Sequence, residues 1–477
     1  MIIVGAGLAG LALARRLADS RAGRVLVIES GPDAGRDHYR WVNDPQQAHT
    51  MWLDPTADPH FWQPYQATDS AYRGIAGLRR RLGGRSLYWG GVAVPIEPWA
   101  LDDGSWPRSV VDDLTVSWRG GQSLYHEATE ELRQWTGTAA LSDGRAVDLG
   151  GHRFDEAPRA VRTSPDGQRW QAYSPLGDWP ESVEVVSDCH AVAVATDQDR
   201  ITGLLVEENG VRRVIAAPKI VLAAGTVENS RLVLQALHRA DSSGPVELTG
   251  LVDKLAQGFV VAFDPAAAPK SMAALAESGG LFLSRADADL RSSLFLGARM
   301  NEHGLMVVDC YCMGEQTRSA TGRVWCEPGA DLPWPTFVAG GLSEADTRMT
   351  LDQQRELQRL YEELCGEAGV SGTRLHFDEP FGSEDLAERL VIGDTLRVPG
   401  VPATYSFPIG SEQHEAGTLP LGGAVVDEHA RVRSVDGLYV TGPATFPRTG
   451  AANPALTILA LSARLAGELA DSGSVSR

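Results

Sequence analysis

The chain has 477 residues, with 43 Lys+Arg against 62 Asp+Glu and a formal charge of −19. Hydrophobic residues make up 43% and charged residues 22%, which excludes a disordered, collagenous or coiled-coil chain. The longest basic run is Arg79-Arg80-Arg81, so a nucleic-acid or anionic-membrane partner is not expected and chemistry on a small molecule is. At about 150 residues per domain the length allows roughly three units, or one large enzyme fold with a cap. Cys189, Cys310, Cys312, Cys326 and Cys365 are odd in number and scattered, which favours a reducing, cytoplasmic setting over a disulfide framework. Cys310-Tyr311-Cys312 is the one close pair and lacks the further ligands of a metal centre, so no metal is expected. No apolar run reaches the roughly 18 residues that span a bilayer. Met1–Gly10 already reads as strand and glycine turn, so no signal peptide is expected ahead of it.

In chain order, Ile2–Val4 reads as a short apolar strand, Leu8–Leu17 as a helix and Val25–Ile28 as a second buried strand, which together make a βαβ unit. Residues 33–72 show no period, and Arg80–Gly91 is rich in glycine. One helix is expected around Tyr125–Trp135. Val183–Val186, Ala191–Ala195 and Ile201–Val206 read as strands, the last followed by the turn Glu208-Asn209-Gly210 and a strand toward Ile215. Ile220–Ala224 is an apolar run, and Glu228–Leu237 a helix. Within 240–405 the pattern gives strands at Leu281–Leu283 and Leu305–Asp309. It also gives an amphipathic helix with Ser343-x-x-Asp346 as capping box, Leu357, Leu360, Tyr361 and Leu364 on one face, and Gly366 as its stop. Leu438–Thr441 returns to strand, and a final helix starts near Pro454. The first and last segments read as pieces of one α/β domain interrupted by another.

Gly5-x-Gly7-x-x-Gly10 follows a strand and opens a helix, the context in which this spacing signals a dinucleotide site. The first glycine allows the tight turn, the second the approach of a pyrophosphate, the third close helix packing. Glu29, about 20 residues on, suits a ribose 2′-OH and disfavours a 2′-phosphate. NAD and FAD both satisfy this motif. The late strand Lys219–Gly225, ending in small residues, suits a chain returning beside the first turn, an arrangement that favours FAD. Near the C-terminus, His414 stands before Gly417-Thr418, and Asn453 sits in a Gly-Ala-Ala-Asn-Pro turn heading a helix. A neutral imidazole can take an alcohol's proton near pH 7, and an amide can hold the substrate oxygen.

Four segments together resemble the glucose-methanol-choline (GMC) family of FAD-dependent alcohol oxidoreductases. They are Gly5–Glu29, Arg81–Gly91 (Arg-Leu-Gly-Gly-Arg-Ser-Leu-Tyr-Trp-Gly-Gly), Ala223–Leu234, and the pair His414–Thr418 with Gly437–Thr457. The likeness covers roughly the first 100 residues, 180–240 and the last 70, and is closest to the pyranose-oxidase-like branch. It implies a Rossmann-like FAD domain built from 1–100, 180–240 and 405–477, and a sheet-based α+β substrate or cap domain from 101–179 and 241–404. It implies His414 as base and Asn453 as its partner. It further implies cofactor contacts from Gly5, Gly7, Gly10, Glu29, Gly83, Gly84, Ser86, Trp89, Gly90, Val192, Ala224, Gly225, Gly442, Asn453, Pro454 and Thr457. In that branch a histidine of the glycine-rich loop bonds covalently to the flavin; Tyr88 stands at its place, so FAD is expected without a covalent link. Where many members have an acidic residue near Gly442 for the ribityl chain, this chain has Gly442-Pro443.

The expectation is therefore oxidation of a primary or secondary alcohol to a carbonyl, with an external electron acceptor, oxygen or another. A sugar, glycoside, nucleoside-like alcohol or other polyol is the expected substrate. Two alternatives stay open at this point: another flavoenzyme class, such as an amine oxidase or monooxygenase, and a non-catalytic FAD-binding relative.

Overall fold

The computed structural model describes residues 1–20, 23–44, 47, 48, 50, 51, 54–68, 77–377 and 396–474. Its first layer is an all-parallel sheet of five strands in the order Val183–Val186, Val25–Ile28, Ile2–Val4, Ile220–Leu222, Leu438–Val440. Most of these strand residues are buried, as expected of parallel strands covered on both faces. The helix Leu8–Asp19 buries Leu11, Leu13 and Leu17 and packs against the last helix, Ala455–Ser474. Two further helices, Arg108–Thr115 and Leu124–Thr136, lie against that same last helix.

Beside this sheet, Cys189–Asp197, Arg200–Glu208 and Val211–Ala216 form an antiparallel three-stranded sheet. Its tight turn puts Asn209 at φ 52° and Gly210 at φ 76°, the left-handed pair that an Asn-Gly hairpin supplies at least cost.

The second large layer is an antiparallel sheet of seven strands: Pro402–Ser406, Lys254–Phe263, Met306–Glu315, Ser292–Met300, Leu281–Ser284, His152–Glu156 and Ala146–Leu149. The helix Glu344–Glu367 covers it, packing Leu357, Leu360, Tyr361 and Leu364 onto Phe259, Val261 and Phe263. Its expected capping box is present: the Asp346 N–H donates to Ser343 Oγ at 3.1 Å and the Ser343 N–H to Asp346 Oδ2 at 2.9 Å. The expected stop at Gly366 is displaced. Gly366 stays helical, and the chain leaves the helix at Gly369, whose φ of +66° only glycine adopts cheaply. The chain is thus an α/β protein with a parallel Rossmann-like sheet and a separate antiparallel sheet. Among the described residues, no helix is long and apolar enough to cross a membrane.

Candidate active site

Between the two large sheets lies a cavity of about 640 Å³, within the size range of cofactor and ligand sites. Part of its wall is the turn after Ile2–Val4. Gly5 has φ +101°, and a Cβ there would stand 2.6 Å from the Ala223 carbonyl oxygen. A Cβ on Gly10 would stand 2.0 Å from the Gly5 carbonyl oxygen, so this glycine lets the helix close onto the strand. A Cβ on Gly7 meets nothing within 4 Å, because Gly7 faces the cavity. Glu29 is 7% exposed and lines the same wall. Its Oε2 accepts the Ala6 N–H at 3.0 Å and its Oε1 the Gly31 N–H at 2.9 Å, while burial pushes its pKa up.

The glycine-rich segment sits on this turn. The Gly83 N–H donates to the Ala6 carbonyl at 2.9 Å, and a Cβ on Gly84 would be 3.3 Å from Gly7 Cα. Gly84, Ser86, Trp89 and Gly90 line the cavity, as do Ala224, Gly225 and Gly442. Ser86 Oγ is engaged with the Gly83 carbonyl and Ser174 Oγ, and Trp89 Nε1 donates to the Tyr173 carbonyl at 2.7 Å, so both side chains also brace the loop. Tyr88 lines the cavity, stacked on Tyr39 with ring centroids 5.2 Å apart.

The same wall carries His414, Asn453 and Pro454, three of the C-terminal residues singled out above. His414 Nδ1 and Asn453 Oδ1 are sealed from solvent and have no hydrogen-bond partner within the protein. Burial, then the charges of Lys254 and Arg85, push the His414 pKa down to about 3. The imidazole is therefore neutral across the physiological range, well below the pKa near 7 that an exposed histidine suggests. Asn453 and Pro454 lead into the helix Ala455–Ser474, whose N-terminal partial positive charge faces the cavity.

Four expected contacts do not line the cavity. Gly10 and Gly83 act on backbone packing, as above. Thr457 is fully buried with its hydroxyl on Tyr125 Oη at 3.0 Å. Val192 is displaced by a bulge between Ala191 and Ala193; its carbonyl accepts from Arg231 at 2.8 Å, and its neighbours Cys189, His190 and Ala191 reach the cavity instead.

Sequence reasoning passed over a second group on the cavity wall: Arg159, Asp309, Tyr311, Tyr405 and Glu412. Tyr405 Oη donates to Asp309 Oδ1 at 2.7 Å, and Tyr311 stacks on Phe295 at 4.7 Å. The Arg159 Nε–H donates to the Gly90 carbonyl at 3.1 Å. Burial, and then the neighbouring Asp253, push Glu412 up to about 8. These residues come from scattered strands and loops; Glu412 stands two residues before His414 and Tyr311 between Cys310 and Cys312, but nothing local marks them as facing one cavity.

Two loops carry the paired groups. In the first, the N–H groups of Gly410 and His414 donate to Asp253 at 2.6 and 2.9 Å, and Arg85 forms a two-pronged ion pair with Glu415. In the second, the Gly450 N–H donates to Glu315 at 2.9 Å and the Ala451 N–H to Glu97 at 3.0 Å. Lys254 Nζ donates to the carbonyls of Thr449, at 3.3 Å, and Gly450.

Comparison with known proteins points the same way at both ends of the chain. Residues 344–462 match the family described as GMC oxidoreductase, and residues 3–66 match the NAD(P)-binding Rossmann-like domain. Uncharacterized GMC-type oxidoreductases of Mycobacterium tuberculosis (strain ATCC 25618 / H37Rv) and Mycobacterium bovis (strain ATCC BAA-935 / AF2122/97) are 25% identical over 264 residues, and the match spans 49% of this chain and 49% of each relative. Among solved structures, a pyridoxine 4-oxidase from Mesorbium loti superposes with a TM-score of 0.60 at 18% identity, covering 98% of both chains. A formate oxidase variant from Aspergillus oryzae RIB40 gives 0.66 at 14% identity, covering 99% of this chain and 98% of that one. At these identities the structural likeness is one of fold.

Proposed function

For a chain that carries the C-terminal region of the GMC oxidoreductases and a Rossmann-like N-terminal domain, we propose oxidation of a primary or secondary alcohol to a carbonyl, with FAD held between the two sheets. The observation that carries this reading is one cavity lined both by Gly5, Gly7, Gly84 and Glu29 and by His414 and Asn453. An open cradle at Gly7, a buried carboxylate at Glu29 and orphaned polar atoms on His414 and Asn453 fit a dinucleotide-linked redox cofactor. Gly5, Gly7 and Gly84 would receive the pyrophosphate, Glu29 the ribose, and Trp89, Gly90, Ala224, Gly225, Gly442 and Pro454 the remainder. We take the attachment to be non-covalent, on the side chain present at Tyr88. When bound, the flavin supplies the hydride acceptor, to be reoxidised by an external acceptor, oxygen or another.

The chain's own part is proton handling and orientation. Neutral His414 is placed to accept the hydroxyl proton, and negative charge developing on the substrate oxygen beside it would raise its low proton affinity during that transfer. Asn453 has both a donor and an acceptor, so it can hold that oxygen before and after the change in charge.

For the substrate we favour a sugar, glycoside, nucleoside-like alcohol or other polyol, in line with the pyranose-oxidase-like branch. The cavity wall offers the guanidinium of Arg159 as donor, the Asp309 carboxylate as acceptor and the ring of Tyr311 as an apolar face, a set that suits adjacent hydroxyls on a ring. The test is an anaerobic absorbance titration of the flavin-loaded protein with sugars, nucleosides, and aryl and aliphatic alcohols. Bleaching by polyols, lost with Arg159→Ala, is expected. Bleaching by aliphatic or aryl alcohols alone refutes the substrate class, and a flavin that no alcohol bleaches refutes the reaction.

A further inference from the structure

We infer that Asp253 and Lys254, consecutive residues where the strand Lys254–Phe263 begins, are a positioning pair that sets the His414 loop against the Asn453 loop. This rests on the reading of His414 and Asn453 as the reacting pair. The two loops lie on distant parts of the chain: one follows the strand Pro402–Ser406, the other precedes the last helix. Each therefore needs a common reference to be held in register. Consecutive side chains on an extended backbone point to opposite sides, and here each side takes one loop. Asp253 accepts the backbone N–H of His414 at 2.9 Å and of Gly410 at 2.6 Å. Lys254 donates to the carbonyls of Thr449 and Gly450, three to four residues before Asn453.

The chemistry of Lys254 argues against a purely structural role. It is 2% exposed and donates to two backbone carbonyls, and the carboxylates of Glu97, Glu315, Asp253 and Glu412 act on its charge. Burying an ammonium is costly even so, and a well-packed hydrocarbon of the same length would often serve the fold as well or better. Its partner loop is gripped from the other side through its N–H groups by Glu315 and Glu97, so donors and acceptors of one turn are held together. A misplacement of about 1 Å between reacting groups costs on the order of 10² in rate, and this dipeptide spans the two loops whose spacing matters.

The charged groups packed about His414 are Lys254 from the strand, Arg85 from the glycine-rich loop, Asp253, and Glu412 and Glu415 from its own loop. Removing the Lys254 charge makes the His414 imidazole easier to protonate, and because hydration of the site would move the titration the same way, Lys254→Arg, which keeps the charge, separates the two. The experiment compares Lys254→Met, Asp253→Asn and Lys254→Arg with His414→Ala in the flavin-loaded protein. It measures flavin content, kcat and KM separately, and the His414 titration by NMR, assigned through His414→Ala. Expected for Lys254→Met and Asp253→Asn are full flavin content, KM within about threefold and kcat down about 10- to 100-fold. In Lys254→Met the His414 titration moves up, and Lys254→Arg recovers most of the rate. Wild-type kcat and an unmoved His414 titration in Lys254→Met, alongside an inactive His414→Ala, overturn the pair while leaving the reaction intact. Wild-type turnover in His414→Ala overturns the underlying reading instead. If Lys254→Met does not fold, Lys254→Gln, which keeps a donor without the charge, carries the same two outcomes.

Discussion

Replacing Gly7 and Gly10 by alanine, one at a time, separates the cofactor cradle from the packing beneath it. On Gly10 the new Cβ would lie 2.0 Å from the Gly5 carbonyl oxygen and 3.3 Å from Ala223 Cβ. An ordinary contact is nearer 3.4 Å, and the obstacle is backbone, so the helix Leu8–Asp19 must retreat by about 1 Å or more from the strand Ile2–Val4. Overpacking of this kind costs roughly 1–3 kcal/mol, and the retreat also spoils the turn at Gly5. On Gly7 the Cβ meets nothing within 4 Å, at φ −87° and ψ −166°, where alanine is unstrained. Stability should therefore hold, or rise by up to about 1 kcal/mol as the unfolded chain loses freedom. The added methyl instead stands in the space through which a pyrophosphate would approach. The assay is flavin affinity by fluorescence titration together with Tm of the cofactor-free protein. The reasoning requires opposite patterns: Gly7→Ala melts as wild type and binds FAD at least tenfold more weakly, whereas Gly10→Ala loses both. Unchanged flavin affinity in Gly7→Ala, or unchanged Tm in Gly10→Ala, would refute it.

His414→Ala should keep its flavin and lose kcat by a factor on the order of 10² to 10⁴, with retained turnover removing His414 from its role. Cofactor-free stability should fall as pH rises from about 6.5 toward 8. Glu412 is pushed up to about 8 and Asp253 to about 7, so across that window the folded chain holds protons that the unfolded chain has released; below it His38, His190 and His414, all pushed down by burial, act in the opposite direction. Glu412→Gln should flatten the fall in Tm measured from about pH 6.5 to 8, and an unaltered slope would assign it elsewhere. Lys254, pushed down to about 8, acts in the other direction only above that pH, where the unfolded chain holds the extra proton. Arg231→Met should cost about 3–5 kcal/mol in urea unfolding. It strands the buried Glu228 carboxylate and releases the carbonyls of Ala191 and Val192 at the bulge beside the cavity, and a loss below 1 kcal/mol would contradict this.

The parallel sheet was legible because most of its strands are continuous apolar runs and because Gly5 and Gly10 stand where a side chain would collide. The long helix was legible from Ser343 to Leu364, since its cap and apolar face are local features, and its end was misjudged because only tertiary context makes Gly369 rather than Gly366 the left-handed residue. The strands Lys254–Phe263 and Ser292–Met300 were missed for a different reason. Lys254 and Gln257 interrupt the apolar pattern, yet both are buried: Gln257 Nε2 donates to the Thr350 carbonyl at 2.7 Å and Gln353 Oε1 at 2.8 Å. Polar residues satisfied by distant partners look like surface in a sequence. The same holds for the site. His414 and Asn453 lie in recognisable local motifs, whereas Asp309 and Tyr405 meet only through the order of strands in the antiparallel sheet, and Arg159 joins them on the cavity wall from a segment outside its strands. Val192 stands at the bulge between Ala191 and Ala193 and does not line the cavity, a local irregularity that no apolar alternation announces.

The strand order of the parallel sheet has a consequence for synthesis. Ile2–Val4 is made well before its neighbour Ile220–Leu222, the edge strand Leu438–Val440 comes later still, and the helix Leu8–Asp19 meets Ala455–Ser474 later again. At about 5–20 residues per second, the side of that helix which Ala455–Ser474 covers waits on the order of a minute for its partner, while its other side can already close on Ile2–Val4 and Val25–Ile28. Completion of the sheet is therefore a late event in synthesis, and one face of that helix stays uncovered through a long interval.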